Sequence, residues 1–326
     1  MEPKGSQTPL RGGIDLGGTK IQAAIVTPNG EILGESRHAT PTEGGPADVA
    51  DQMTQALREA AKAASVEPSD LQGVGVGSPG DSDERTGVVS EARNLPGWEG
   101  SFPLAETLAK ELGTQVRIAN DVDVATNAEF KLGSGKPYDS ILGVFWGTGV
   151  GGGLILDGKR WLGRGAAGEI GHMVVKIDGR KCTCGRHGCM EAYAGRGPME
   201  IRARHLVEKG HKTKLFEIME DRGRDRLTSG IWERALEHGD KMAEELMDEA
   251  YDALGAGVAS AVNLLDVEAV IIGGGLGIRF GASGVEKIAK RMHPHLFVDD
   301  RPPAIEVAAL GDLGGAIGAS LLFDDD

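Results

Sequence analysis

The sequence predicts an α/β protein built as two lobes. Three observations lead there. Short apolar runs alternate with stretches of helical spacing along most of the chain, and strands followed by helices define that class. The part up to about residue 120 and the part from 121 onward each carry a glycine turn after an early strand, a rough internal echo. A chain of 326 residues is also long enough for two ordinary domains, each with its own core.

The elements follow in order. Residues 1–10 read as a loose tail. A first strand lies near 11–15, a second near 20–26, and a third follows the Pro28-Asn29-Gly30 turn. Over 46–65, Val49, Met53 and Leu57 recur at helical spacing until Pro68 breaks the pattern. Residues 71–80, LQGVGVGSPG, read as a strand running into a glycine-rich turn. A helix is expected to begin at Ser101, carry Pro103 in its first turn and stop at Gly113. QVRIAN (115–120) reads as a strand and DVDVATNAEFKLG (121–133) as the helix directly after it. Two strands flank the GTGVGGG turn within 139–156, and 165–195 is irregular. Several helices follow, the longest over roughly 240–265. VEAVIIGGG (267–275) is a strand ending in a glycine loop. A helix near 283–292, a strand at 304–309 and a helix near 313–322 complete the pattern.

Composition excludes several function classes. Glycine supplies 51 residues without a three-residue period, so collagen is excluded and tight turns are implied. The net charge of −14 and an aromatic content of 4% argue against a nucleic-acid partner. No run of 18 apolar residues reads as a membrane span, and the first residues lack the apolar region of a secretory signal. The expected location is the cytoplasm.

The strongest local signal is GHMVVKIDGRKCTCGRHGC at 171–189, which holds all three cysteines of the chain. Cys182, Cys184 and Cys189 with one imidazole form a donor set suited to a tetrahedral, structural Zn2+. His172 and His187 both compete for the histidine place. The bland reading is three reduced thiols and a core histidine.

Three glycine turns can each be no more than a tight connection, or can hold phosphate oxygens on backbone amides. The first is Asp15-Leu16-Gly17-Gly18-Thr19-Lys20, where Thr19 offers a hydroxyl and Asp15 can orient hydrated Mg2+. The second spans Gly147-Thr148-Gly149 to Gly153, and the third is Gly273-Gly274-Gly275-Leu276-Gly277. Three in one chain favour a nucleotide. GVGSPG (75–80) and GTGVGG (147–152) both match GxGxxG, but neither opens a clear helix, so the Rossmann context is missing. Asn120-Asp121 lies where a strand meets a helix, either as a helix cap or as a proton acceptor beside an alcohol. Glu169 and Glu191 bracket the cysteine loop, either as solvated charge or as carboxylates turned toward a polyol.

DLGGTK (15–20), SPG (78–80), ARNLPGW (92–98), ANDVDVA (119–125), GTGVGGG (147–153), EIGH (169–172), CTCGRHGCME (182–191) and IIGGG (271–275) occur in this order. Together they resemble the ROK family of sugar kinases, in particular its bacterial glucokinases, over about 11–321. The resemblance implies an actin-like ATPase (ribonuclease H-like) fold with two lobes around a cleft. Residues 1–120, joined by a C-terminal helix at 312–326, would form the small lobe, and 121–311 the large one.

The activity implied is transfer of phosphate from ATP to the 6-hydroxyl of glucose, with Asp121 as general base. Gly80, Asn94, Asn120, Glu169, His172 and Glu191 would complete the sugar contacts, His172 giving one ring nitrogen to zinc and one to sugar. Gly17, Gly18, Thr19, Lys20, Thr148 and Gly149 would hold the β- and γ-phosphates. Gly274, Gly275 and Leu276 would lie beside the adenosine, and Asp15 would place Mg2+.

Other hexoses, N-acetylhexosamines and a polyphosphate donor stay open, as does a sugar-binding protein without catalysis. Family members that repress transcription carry an added helix-turn-helix domain, for which no room exists before a strand near residue 11. A homodimer, or a tetramer, is implied. YAGRGPM (193–199) departs from the Ser-Gly-containing segment of many relatives.

Overall fold

The computed structural model describes residues 9–92 and 94–324, so the expected tail lies outside the described residues up to residue 8. The chain divides into two compact units. One comprises Met1–Lys136 with Ala309–Asp326, and the other Pro137–Ala308.

The first unit runs β1 (Arg11–Leu16), β2 (Lys20–Val26), β3 (Ile32–Ala39), α1 (Pro46–Ala63), β4 (Val74–Ser78), β5 (Asp81–Asp83), β6 (Val88–Ser90), β7 (Ser101–Phe102), α2 (Leu104–Leu112), β8 (Val116–Asn120) and α3 (Asp121–Leu132). Its main sheet has the order β3-β2-β1-β4-β8. The hairpin strands β1, β2 and β3 pair antiparallel, while β4 and β8 add parallel to β1. Val49, Met53, Ala56, Leu57 and Ala60 of α1 are buried with Ile14, Ile21 and Val74 of the sheet. That is the face anticipated from helical spacing.

The other face of this sheet is covered by the closing helix at Gly314–Ser320, whose backbone lies directly on the strands. Gly13 and Gly75 are register partners in β1 and β4. A Cβ at Gly13 would overlap the carbonyl oxygen of Ala316, and one at Gly75 that of Ala319. The same helix meets α3, since a Cβ at Gly318 would overlap the Val124 carbonyl. This contact explains a correction. The expected boundary after residue 120 falls instead between Lys136 and Pro137, because α3 packs against the returning chain end and belongs to the first unit.

The second unit runs β9 (Ile141–Trp146), β10 (Val150–Leu156), β11 (Lys159–Arg160), α4 (Glu191–Ala194), α5 (Arg196–Glu208), α6 (Leu215–Asp221), α7 (Ser229–Glu237), α8 (Lys241–Leu265), β12 (Ala269–Gly273), α9 (Gly274–Met292) and β13 (Ala304–Val307). The chain then re-enters the first unit as α10 (Gly314–Ser320). The second sheet has the order β11-β10-β9-β12-β13. Here too a run of antiparallel hairpins is extended by two parallel strands. The weak echo in the sequence is therefore a repeated sheet of the same order and sense. The core of this unit gathers Val144, Trp146, Ile272, Trp232, Tyr251 and Leu254.

Three expectations change. Ser101–Phe102 is a strand and not a helix start, because its backbone pairs with Val89–Ser90 and the helix opens only after Pro103. A small sheet, β5-β6-β7, was not foreseen. The third glycine loop is the first turn of α9, with Gly274 at φ +77 making the bend and a backbone break at Gly281 splitting the helix. Among the described residues no helix is long and apolar enough to cross a membrane.

Candidate functional site

In the first unit the expected residues collect at the carboxyl ends of β1, β4 and β8. That is where ligands bind in open α/β sheets. Asp15 pairs with Gly77, and Ser78 pairs with Asn120. The DLGGTK turn closes through the Gly17 amide donating to the Lys20 carbonyl at 2.9 Å. Thr40, which sequence reasoning missed, holds this turn from outside. Its hydroxyl donates to the Gly17 carbonyl at 2.6 Å and its amide to the Thr19 carbonyl at 3.2 Å. Gly18 lies against Asn94, where a Cβ would stand 3.2 Å from the amide nitrogen Nδ2. Gly80, at φ +88, turns the chain after β4 against Ser90 and Ala92.

Asn120 caps α3. Its side-chain oxygen accepts from the amides of Val122 at 2.9 Å and Asp123 at 3.3 Å. The cap and the ligand readings are compatible, because the capped oxygen fixes the amide group and leaves its N–H2 as a donor. Asp121 is the first residue of α3, and its Oδ1 accepts from the Val122 amide at 2.9 Å. Asp15 is pushed up to about 7, first by burial and then by the negative charge of Asp121, with Lys20 pulling the other way. Two carboxylates thus share one negative region. Lys20 is ion-paired to Asp312, which also meets Arg37 at 3.2 Å. Those bonds hold the Asp312 carboxyl below its ordinary range, that from Lys20 most.

In the second unit two glycine turns come together. A Cβ on Gly147 would stand 3.6 Å from the Gly275 amide nitrogen. Thr148 and Gly275 are exposed. Leu276 is 0% exposed and its side chain belongs to the core, which anchors the loop whose glycines stay open. Glu191 fastens the Gly147–Gly149 turn. Its Oε2 accepts from the Val150 amide at 3.0 Å, and a Cβ at Gly149 would overlap that oxygen. Its Oε1 accepts from the Thr183 hydroxyl at 2.9 Å. One carboxylate therefore ties the glycine turn to the cysteine loop and keeps spare lone pairs for a ligand.

The metal reading passes a geometric test. Ligand atoms of His172, Cys182, Cys184 and Cys189 all lie within 4.8 Å of one another, and His187 is not among them. Tetrahedral zinc with bonds near 2.3 Å to sulfur needs donors about 3.8 Å apart. Cys184 and Cys189 sulfurs stand 3.7 Å apart, and His172 Nδ1 stands 3.8 Å from Cys182 Sγ. The Cys189 thiol is pushed up to about 12, by burial first and then by the neighbouring sulfurs. Packed thiols of this kind become thiolates beside a cation. The other ring nitrogen of His172, Nε2, faces Glu169 Oε2 at 3.9 Å. Glu169 and His172 sit on one short turn pressed onto β10, since a Cβ at Gly171 would overlap the Val150 carbonyl.

Comparison with known proteins agrees with this geometry. The model of the ROK family matches residues 11–326. The glucokinase of Thermotoga maritima is 32% identical over 265 residues, 81% of each chain. An N-acetyl-D-glucosamine kinase of Escherichia coli is 30% identical over 326 residues, 96% of this chain and 99% of its own. The crystal structure of a ROK family glucokinase from Streptomyces griseus in complex with glucose and AMPPNP is 32% identical, covers 96% of this chain and 98% of its own, and superposes with a TM-score of 0.81.

Proposed function

The chain belongs to the ROK family, and from that membership we propose that it transfers the terminal phosphoryl group of ATP to the 6-hydroxyl of D-glucose. The observation that carries this reading is the grouping of Asp15, Gly18, Asn94, Asn120 and Asp121 at one end of a sheet. A proton acceptor, an amide donor and a phosphate-binding turn are what transfer to an alcohol requires.

Asp121 is the general base. Its orientation is fixed by the Val122 amide, and its negative charge is felt at Asp15. It takes the proton of the sugar hydroxyl as the oxygen attacks phosphorus, and ADP leaves in line. Asn94 and the N–H2 of Asn120 hold the sugar hydroxyls. In the second unit Glu169, His172 Nε2 and the spare lone pairs of Glu191 are the groups suited to sugar hydroxyls. His172 Nδ1 and the sulfurs of Cys182, Cys184 and Cys189 would hold a zinc ion, which when bound would fix the loop that carries these groups. Gly17–Lys20 and Thr148–Gly149 take the phosphates, and Gly274–Gly275 approach the adenosine. Asp15 is the residue to hold Mg2+, which when bound draws charge from the phosphates.

A second reading keeps the chemistry and changes the sugar. The N-acetyl-D-glucosamine kinase of E. coli is almost as similar as the glucokinases. Coupled ADP release, measured with Mg-ATP over glucose, mannose, fructose, glucosamine, N-acetylmannosamine and N-acetylglucosamine, separates them. Glucose is expected to give the highest kcat/KM. Turnover confined to acetylated sugars would assign the second reading, and no sugar-dependent release from zinc-loaded protein would overturn both.

A further inference from the structure

The first glycine turn carries its own lysine, Lys20. The second, Gly147–Gly153, contains no cation. The fold brings one to it. Arg196, the first residue of α5, donates from Nη2 to the Thr148 hydroxyl oxygen at 2.8 Å and from Nη1 to the Leu227 carbonyl at 2.9 Å. The backbone docks at the same place. The Arg196 amide donates to the Gly147 carbonyl at 3.0 Å and the Gly197 amide to the Thr148 carbonyl at 2.9 Å.

The guanidinium has no ion-pair partner among the described residues. Glu200, one helical turn on, is occupied by Arg204 and by the Leu227 amide. Burial pulls the Arg196 pKa down, Glu200 opposes the pull and Arg226 adds to it. Guanidinium keeps its charge regardless. A half-buried cation with no direct ion pair, beside an exposed hydroxyl and glycine amides, is an anion site in waiting. Two of five N–H donors are used, which leaves three for phosphate oxygens. Because Thr148 accepts from Arg196, its own proton is left available to donate.

We propose that Arg196 binds the terminal phosphates of the nucleotide together with Thr148 and neutralises charge that develops there during transfer. The inference rests on the kinase reading and adds a residue to it.

The test uses zinc-loaded full-length protein, parent against Arg196→Ala and Arg196→Lys. Binding of Mg-AMPPNP and of AMP is measured by calorimetry, and kcat and KM are measured for ATP and for glucose. In Arg196→Ala, kcat/KM for ATP is expected to fall about 100-fold, as for other lost charge-stabilising donors. Mg-AMPPNP should weaken while AMP affinity, glucose KM and zinc content stay at parental values. Guanidinium ion at millimolar concentration should restore part of the rate, and Arg196→Lys should lie between. Parental kcat/KM in Arg196→Ala would overturn the inference and leave the kinase reading intact. Equal loss of AMP and AMPPNP binding, with no rescue, would make Arg196 a packing residue and also overturn it. A parent that neither turns over ATP nor binds Mg-AMPPNP would overturn the kinase reading itself.

Discussion

The two units use the same sheet and equip it differently. Each has antiparallel hairpins extended by two parallel strands, with a glycine turn between the first two. In the first unit the turn itself brings charge, with Asp15 at one end and Lys20 at the other. In the second the turn is bare, and its polar equipment arrives from outside, through Glu191 from α4 and Arg196 from α5. Their support differs as well. The first sheet is backed by α10 lying on glycines, whereas Glu191 of the second unit is tied into a loop of metal-ligand character. A repeated scaffold thus leaves the chemistry to local residues on one side and to long-range packing on the other.

The largest expected effect falls on the second unit alone. Cys184→Ser should lose bound zinc, with local structure weakened because metal binding and folding are coupled. Hydrogen exchange should rise over 169–191 and remain at parental levels over β1 and β4. Equal zinc content in parent and variant would remove Cys184 from the ligand set. Uniform loosening of both units would erase the contrast.

Next comes the glycine face of the first unit. Gly13→Ala should destabilise by about 1–3 kcal/mol, the usual cost of overpacking, since its Cβ meets the Ala316 backbone. Gly100→Ala has nothing within 4 Å of its Cβ and should change stability by less than about 0.5 kcal/mol. Urea denaturation of both variants decides this, and equal midpoints would show that α10 yields.

The smallest effect is a proton. Asp15 is raised from 3.8 to about 7 by burial first and Asp121 second. Below the unfolded value both states are protonated. As pH rises toward 7 the unfolded chain ionises first, so this group makes the metal-free fold progressively less stable across that window. Mg-AMPPNP, which needs the carboxylate, should release a fraction of a proton near pH 6.5, read by calorimetry in buffers of different ionisation heat. Asp15→Asn should abolish that release, and Asp121→Asn should reduce it. A release unchanged in Asp15→Asn would mean another group titrates.

Much of this arrangement is legible in the sequence, for identifiable reasons. The cysteine loop is readable because its candidate donors are rare residues close together, and the structure gathers His172 and not His187 with them. Strands such as Lys20–Val26 and the 25-residue helix α8 are long enough for periodicity to speak. The strands β5 to β7 are two or three residues long and carry no period. The opening of α9 is hidden because glycines at 273–277 look like a loop until Gly274 is seen bending into a helix. Arg196 and Thr40 escaped because their partners lie 48 and 23 residues away, Thr148 and Gly17 respectively. Only the packed chain shows such pairs. That the Leu276 side chain is part of the core is likewise invisible beside a glycine motif.

The proposed chemistry turns on Asp121 removing the proton of the sugar hydroxyl. Glucose affinity and kcat of Asp121→Asn, measured on zinc-loaded protein with saturating Mg-ATP, test it directly. Parental glucose affinity with kcat lower by about 10² to 10⁴, the usual worth of a general base, is expected. Turnover near the parental rate would contradict it.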